Sequence, residues 1–448
     1  MKKLIILSLS IFIMSGCCIY KKYEPQTVDT RHILGQTEEV AQADTAFNLA
    51  TLPWHDLFTD PLLQNLVDSV LVRNVDMRSA HLEVQKMEAS LKASKLAFLP
   101  SFSLSPYVQW NTLAGAQTFQ YDVCVSADWQ IDLFGRQLNA KRKTQALTEQ
   151  ARDIEQATHV ELVSATVLAY YQLLLLDREQ AILLQTDSLW QLGLETQRAL
   201  MEAGQCYSTA VNQLEASIYD VHLQMLDIEK QILAQENAIC LLLHDTPHAI
   251  ERSTMADFQV PEQVGIGIPS ALLQHRPDVR SAARNLEAAY YGTCGAYAAM
   301  FPNVTISASV GLGGFDPLAL AASAVGSLLQ PIFAQGALQA NLKIAKASQE
   351  EARLAYEQAV LKAGVEVNEA LKDCAISAAK RDKYAAQVNA LTAAYNGTHE
   401  LMDQGKANYL EVLTAQQSLL SAQLAQAIND YNSVYSLVTL YVSLGGGE

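Results

Sequence analysis

The side chains in this chain that could do chemistry are scattered rather than clustered. His244 and His248 straddle Pro247. Two imidazoles four residues apart suit a transition metal, but no third ligand stands beside them. Cys124, Cys206, Cys240, Cys294 and Cys374 form no C-x2-C pair, so no zinc ribbon, dithiol redox site or disulfide framework is expected. No H-E-x-x-H segment and no nucleophile elbow occurs, so the chain is not expected to be an enzyme. Asp278 follows Pro277, the order of a helix start, with proline in the first turn and a carboxylate beside it. Gly445-Gly446-Gly447 ends a helical stretch rather than a strand and is no phosphate loop. The remaining candidates are carboxylates whose use is their charge. Asp122, Asp128 and Asp132 lie on an alternating stretch, Glu202 and Asp403 lie next to glycine turns, and Glu411 lies just beyond the second turn.

One thiol has a more specific setting. Lys2 and Lys3 precede an apolar run from Leu4 to Met14, and Ser15-Gly16-Cys17 follows. The run is too short for a spanning helix and suits a signal-peptide core. The small residues before Cys17 resemble the lipobox of bacterial lipoproteins. That resemblance implies cleavage before Cys17, a diacylglycerol thioether on its sulfur and an acyl group on its new amine. No other cofactor is expected. Residues 1–16 are then a signal peptide and 17–55 a lipidated linker, held to the membrane by more than one acyl chain.

The bulk composition narrows the classes further. The net charge is −16 and no Lys/Arg block exceeds Lys141-Arg142-Lys143, so nucleic acid is not an expected partner. Half the residues are apolar, which excludes a disordered tail. The 12 prolines leave 107–246 and everything after Pro331 free of proline, and stretches that long predict very long helices.

The chain also repeats itself. Residues 74–108 align without gaps on 276–310, with Asn74–Ala80 facing Arg276–Ala282 and Leu99-Pro100 facing Phe301-Pro302. Further on, Gly135 faces Gly336, and Leu200–Gly204 faces Leu401–Gly405. Several matches in order at an almost constant offset indicate a tandem duplication. The copies are placed at 56–246 and 270–448, with a Pro- and Gly-containing linker at 247–269.

Each copy follows one grammar. A helix over about 76–98 (278–300 in the second copy) stops at a proline, and alternation of period two begins. Phe102, Leu104, Val108 and Trp110 share one face, while Ser101, Ser103 and Ser105 share the other. The same alternation runs through 121–132 and 304–312, and an Ala-rich fourth strand is placed near 319–333. Strands of this length suit a tilted membrane crossing. Four cannot close a barrel, and open edges are forbidden in lipid, so several chains must share one. The rest is helix. Residues 137–203 turn at Gly204 and return over 208–243, and 338–404 turn at Gly405 and return over 409–444. At 1.5 Å per residue the longer arms are on the order of 100 Å, which predicts a rod or a tube.

These features together resemble the TolC-like outer-membrane factor family, in its NodT-type lipoprotein branch serving resistance-nodulation-division efflux systems. The residues that carry the resemblance are Trp54–Leu63 (WHDLFTDPLL), Asp132–Arg136 (DLFGR), Leu272–Ala282 (LLQHRPDVRSA), Phe301–Ser307 (FPNVTIS), Pro331–Gly336 (PIFAQG) and the closing Leu444–Gly447. The implied fold is mainly α with a small transmembrane β part. Four strands per chain join a shared trimeric twelve-stranded barrel that sits on a long helical tube. The implied protein is lipid-anchored in the bacterial outer membrane and reaches into the periplasm. It is a passive exit duct for small molecules, a homotrimer served by a periplasmic adaptor and an inner-membrane transporter. Type I protein secretion, metal-cation efflux and a structural coiled-coil lipoprotein are the alternatives. By the same resemblance the adaptor-docking tip turns are Gly204, Gln205, Gly405 and Lys406. The gate candidates are Glu411, Asp403 and Glu202. The family's D-V-L-D-A segment reads Glu411-Val412-Leu413-Thr414-Ala415 here, so this segment retains one carboxylate and lacks the second.

Overall fold

The computed structural model describes residues 22–25, 52–113, 116–254, 276–314, 320–329 and 335–446. Cys17 and most of the inter-repeat linker lie outside them. The elements in chain order are α1 (Trp54–Leu57), α2 (Pro61–Arg73), α3 (Val75–Leu96), β1 (Ser101–Leu113), β2 (Ala116–Ile131), α4 (Arg136–Glu202), α5 (Ser208–Leu242), α6 (Pro277–Ala298), β3 (Asn303–Gly314), β4 (Leu320–Leu329), α7 (Ala337–Asp403) and α8 (Tyr409–Ser443). The two long helices have 67 residues each and the two return helices 35 each, so the duplication is preserved in the lengths of its helical arms.

Helices α1 and α2 and the start of β2 differ from the sequence expectation, and the ends of the expected fourth strand, 319 and 330–333, lie outside the described residues. Helix α2 is an addition to that expectation, although its signals are orthodox. Asp60 is its N-cap and accepts a hydrogen bond from the Leu62 N–H at 2.9 Å, and Pro61 occupies the first turn. Strand β2 begins at Ala116, five residues earlier than the clean alternation suggests.

The chain divides into two compact units that cut across the repeats. The first contains His81–Ile154 and Asp278–Val360 together with the amino-terminal residues, and so holds all four strands. The second contains Asp29–Ala80, Glu155–Pro277 and Leu361–Glu448 and is helical among the described residues. Each unit takes part of both copies.

In the first unit the strands form one antiparallel sheet in the order β1-β2-β3-β4. The register puts Leu104 opposite Val125, Val125 opposite Val310 and Val310 opposite Ala322, so one face is apolar across all four strands. On the other face Ser103 lies opposite Ser126, Ser126 opposite Ser309 and Ser309 opposite Ser323. Antiparallel partners share a face, so the alternation seen in single strands adds up to a two-faced sheet. Pro106 sits within β1, the first strand of this chain's sheet.

In the second unit the apolar stripes of the long helices are buried. One cluster gathers Trp54, Phe58 and Leu63 of the amino-terminal elements with Tyr170 and Leu174 of α4 and Leu437, Leu440 and Leu444 of the carboxy-terminal arm. This burial accounts for the WHDLFTDPLL segment. A second cluster joins the two hairpins, with Trp190, Leu194 and Leu214 from the first and Leu413 and Leu420 from the second. Leu173–Leu176 of α4, the most apolar run of that helix, is fully taken up in this packing. Each Leu removed from water contributes about 1.5–3 kcal/mol. Gly193, the only glycine between Gln137 and Ala203, has a packing reason. A Cβ there would lie 2.8 Å from the Tyr409 hydroxyl of the second hairpin.

Candidate functional site

Three places in the molecule carry functional chemistry: the two faces of the sheet, the turns that close the hairpins, and the polar joints of the helical unit.

Among the described residues, none packs over the centre of the sheet's apolar face. Phe102 is 76% exposed, Leu104 65%, Val108 64% and Trp110 66%. Indoles stand near both ends. Trp110 lies toward the β1–β2 turn, and Trp129 lies at the end joined to the helices, where its indole N–H donates to the Phe98 carbonyl at 2.9 Å. The ten-residue separation between Phe119, the partner of Trp110, and Trp129 is about 33 Å along a strand. Tilted by about 40°, that gives a band about 25 Å tall, the height of the apolar belt on outer-membrane barrels.

The opposite face is hydrogen-bonded and acidic. The Ser103 and Ser126 hydroxyls are 2.7 Å apart, as are those of Ser309 and Ser323. Ser307 donates to Asp128 at 2.5 Å, and Gln130 donates to Asn303 at 2.6 Å. Asp122 and Asp128 are the only charged residues of the four strands, since none contains Lys or Arg. Asp132, just beyond β2, accepts from the Leu138 N–H at 2.8 Å and thereby caps the start of α4.

The hairpin turns are a matched pair with one difference. Gly204 (φ +73°) and Gly405 (φ +70°) both adopt the left-handed conformation that terminates a helix. In the first turn the Gln205 N–H reaches the Leu200 carbonyl at 2.8 Å and the Gly204 N–H reaches Met201 at 3.0 Å. In the second, Lys406 reaches Leu401 and Gly405 reaches Met402, both at 2.8 Å. The next helix is capped only in the second turn. Asn408 accepts from the Glu411 N–H at 3.1 Å, whereas Tyr207 offers no cap to α5.

The sequence-derived gate residues separate here. Glu411 lies in the first turn of α8 and borders an open groove of about 410 Å³ between α7 and α8, lined by Leu391, Ala394, Leu410 and Ser418. Asp403 ends α7 and faces His399 at 3.4 Å, so it pairs along its own helix rather than with Glu411. Glu202 is exposed at the end of α4 on the other hairpin. The tip residues Gly204, Gln205, Gly405 and Lys406 are all exposed, and Lys406 donates to Gln404 at 2.8 Å.

Sequence reasoning misses the joints that hold the helical unit. Arg252 grips Asp177 with two hydrogen bonds of 2.6 and 2.9 Å and reaches Glu236 at 2.5 Å. This pins the segment after the first repeat to α4 and α5. The neighbouring Ser253 donates to Asp60, and Tyr170 donates to the same carboxylate oxygen at 2.7 Å. Burial alone would raise the Asp60 pKa. Hydrogen bonds from Ser253, Tyr170 and the Leu62 and Leu63 backbone outweigh it and hold the carboxyl below its ordinary value. Burial pushes the Tyr170 phenol up to about 12. Arg276 is buried and binds the Ser443 carbonyl at 2.9 Å and Glu366 at 2.5 Å, which ties the start of the second copy to its last helix. It belongs to the LLQHRPDVRSA segment, so the motif is visible in the sequence while its partners are not.

At His244 and His248 the ring Nδ1 of His248 lies 2.8 Å from the Thr246 carbonyl and 3.5 Å from the buried Cys240 sulfur. Among the described residues no group of three His, Cys, Asp or Glu is placed to hold a metal.

Comparison with known proteins adds the family. Residues 66–243 and 268–446 each match the outer membrane efflux protein family. The chain is 27% identical to the cation efflux system protein CusC of Escherichia coli, over 97% of each chain. It is 28% identical to the toluene efflux pump outer membrane protein TtgC of Pseudomonas putida, over 100% of this chain and 96% of that one. In fold it is similar to the open state of the Neisseria gonorrhoeae MtrE outer membrane channel. The TM-score is 0.87 at 24% identity, covering 96% of this chain and 98% of the other.

Proposed function

The chain belongs to the outer membrane efflux protein family, and from that premise we propose how its sheet, hairpins and amino terminus divide the work of an exit duct. It is an outer-membrane efflux channel of a tripartite pump, from a family of transport channels rather than enzymes. The observation that carries the finer reading is the sheet, with its exposed apolar face, its hydrogen-bonded acidic face and its two open edges. Lipid satisfies the first and water the second. The open edges of β1 and β4 are satisfied when β4 of one copy pairs with β1 of the next. Three copies give twelve strands, and the Ser- and Asp-bearing face then lines the lumen.

Conduction through such a duct is passive. The inner-membrane transporter supplies the energy, and a periplasmic adaptor docks on the turns at Gly204, Gln205, Gly405 and Lys406. Opening moves the hairpins apart. Glu411 contributes one carboxylate per chain at the narrow end, with Asp403 and Glu202 as lesser contributors, and like charges in a constriction favour cations. Cys17 carries the diacylglycerol thioether and N-acyl group that hold the amino terminus in the membrane. The cargo is small molecules handed over by the pump. CusC and TtgC serve cation and toluene efflux respectively, so the same architecture admits either cargo.

The test of the assembly is the mass of the full-length protein, purified in detergent, by light scattering. A protein mass close to three chains of 49.0 kDa supports the shared barrel. A monomer overturns it.

A further inference from the structure

The end of the first return helix differs from the end of its copy. Helices α5 and α8 stop with the same backbone. The Asp245 N–H reaches the Cys240 carbonyl at 2.9 Å and the His244 N–H reaches Leu241 at 3.1 Å. In the second copy Gly446 reaches Tyr441 at 3.0 Å and Gly445 reaches Val442 at 2.9 Å. His244 (φ +53°) and Gly445 (φ +83°) hold the same left-handed position. The side chains are what changes. The second copy has Tyr441, Gly445 and Gly446, with the tyrosine ring laid against Gly446. The first has Cys240, His244 and Asp245, and the chain then turns through Thr246 and Pro247 to bring His248 onto the Cys240 sulfur. The second copy makes the same turn with neither a thiol nor an imidazole.

Cys240 and His248 face each other as a pair of ligands. The thiol is buried beside Ile239, Leu243 and Ile250, so its inner side is dry, while His248 is exposed and stands on the outer side. The His248 Nδ1 lies 3.5 Å from the sulfur, and the His248 backbone N–H donates to the same sulfur at 3.4 Å. An N–H aimed at sulfur favours the thiolate, which is the form that binds metal. With bonds of about 2.3 Å to sulfur and about 2.0 Å to nitrogen, donors 3.5 Å apart meet on one ion at an angle of about 110°. An outward swing of the exposed imidazole widens that angle. One thiolate and one imidazole make a soft set of low number. A structural zinc site takes four ligands, and among the described residues no third His, Cys, Asp or Glu joins this pair. Thiolate selects Cu(I) among the first-row ions, and Ag(I) shares its charge and softness.

We propose that Cys240 and His248 form a binding site for a soft monovalent cation, Cu(I) or Ag(I), at the end of α5. The site shares no residue with the sheet or the hairpin turns, and it does not rest on the duct reading. Binding exchanges one proton for one ion, with no change of oxidation state. The Cys240 thiol gives its proton to solvent and the sulfur bonds the ion. The His248 Nδ1–H donates to the Thr246 carbonyl at 2.8 Å in the free site. On binding, the imidazole takes its other neutral tautomer, with the proton on Nε2 and the Nδ1 lone pair on the ion. The ion staples His248 to α5. It thereby tightens the segment that carries Arg252 to Asp177 and Glu236.

The test is silver(I) binding to the purified full-length protein in detergent. Equilibrium dialysis is run in chloride-free buffer, with free imidazole in excess as competitor. Wild type is expected to hold one more silver ion per chain than Cys240→Ser, a difference in which the other cysteines cancel. His248→Ala is expected to weaken that ion at least tenfold, and His244→Ala to leave it unchanged. Equal silver in wild type and Cys240→Ser overturns the proposal. So does a His248→Ala variant that binds as tightly as wild type, because the thiol then acts alone. Zinc(II) held in the same assay, with the same dependence on both residues, overturns the assignment to a soft monovalent ion. Cys240 is buried, so its variant is compared only if it forms heat-modifiable oligomer at the wild-type level. His248 is exposed, and His248→Ala decides the question by itself if Cys240→Ser does not fold.

Discussion

The sheet and the helical unit treat apolar side chains in opposite ways. Leu173, Leu214 and Leu440 of the helical unit are fully buried, while Phe102 and Leu104 of the sheet keep most of their surface free. The polar groups are reversed to match. The sheet joins serine to serine and serine to aspartate across one open face, whereas the helical unit sinks Arg252, Arg276 and Asp60 into paired joints between elements. The same hydrophobic effect acts on both, so the difference lies in the solvent each is built for. A large, continuous, exposed apolar face is a liability in water and a requirement in lipid. The helical unit is built for water outside and a dry core. The sheet is built for lipid on one side and water on the other.

The sharpest way to break this contrast is to put charge on each face in turn. Val125→Arg sits near the middle of the apolar face and is expected to cost about 2–4 kcal/mol per chain in a bilayer. The readout is heat-modifiable oligomer in membranes, which should almost vanish. Ser126→Arg, one residue along and on the other face, should still assemble and shift the ion selectivity instead. Equal assembly of the two variants would dissolve the distinction between the faces.

The next effect in size tests the helical side. Leu214→Ala leaves a cavity between the hairpins and is expected to cost about 2–5 kcal/mol in a chemical melt of the detergent-solubilised protein. Leu104→Ala removes a comparable side chain from the open face and should change the same melt by less than about 1 kcal/mol. Matching losses would mean that the sheet has a buried core after all.

A smaller effect sharpens the account of the polar joints. The Asp60 carboxyl is held below its ordinary pKa of 3.8 in the folded state. Its contribution is therefore complete at neutral pH and is lost as pH falls below that value toward the folded pKa. Because the group is partly exposed, the contribution is on the order of 1 kcal/mol. Asp60→Asn should lower the melt by that amount at pH 7 and flatten its decline in acid. An unchanged acid decline would assign it to other carboxylates.

How much of this is legible in the sequence depends on how local the signal is. The hairpin turns are legible because Gly204 and Gly405 are single left-handed residues that the duplication displays twice. Strand β2 is legible because Val123, Val125, Ala127 and Trp129 alternate with polar residues. Strand β4 is harder. Ala322, Ala324 and Gly326 differ too little from Ala321 and Ser323 to set a period, and only the register with β3 assigns its faces. Helix α2 carries its cap, Asp60, and its first-turn proline, Pro61, in the sequence itself. The joints are not legible at all. Arg252 and Asp177 are 75 residues apart and Tyr170 and Asp60 are 110 apart, and no local pattern announces a partner at that distance. The roles of Glu411, Asp403 and Glu202 are properties of an assembly, so one chain's sequence offers their charge but not their neighbours.

The chain forms a water-filled channel, and its ion bias is set by Glu411 if that residue stands at the constriction. Planar-bilayer conductance of the purified full-length protein, wild type beside Glu411→Gln, tests it most directly. Small, cation-biased, mostly closed channels are expected, with a weaker cation bias in the reversal potential of the variant. A protein that enters the bilayer and passes no current would contradict it.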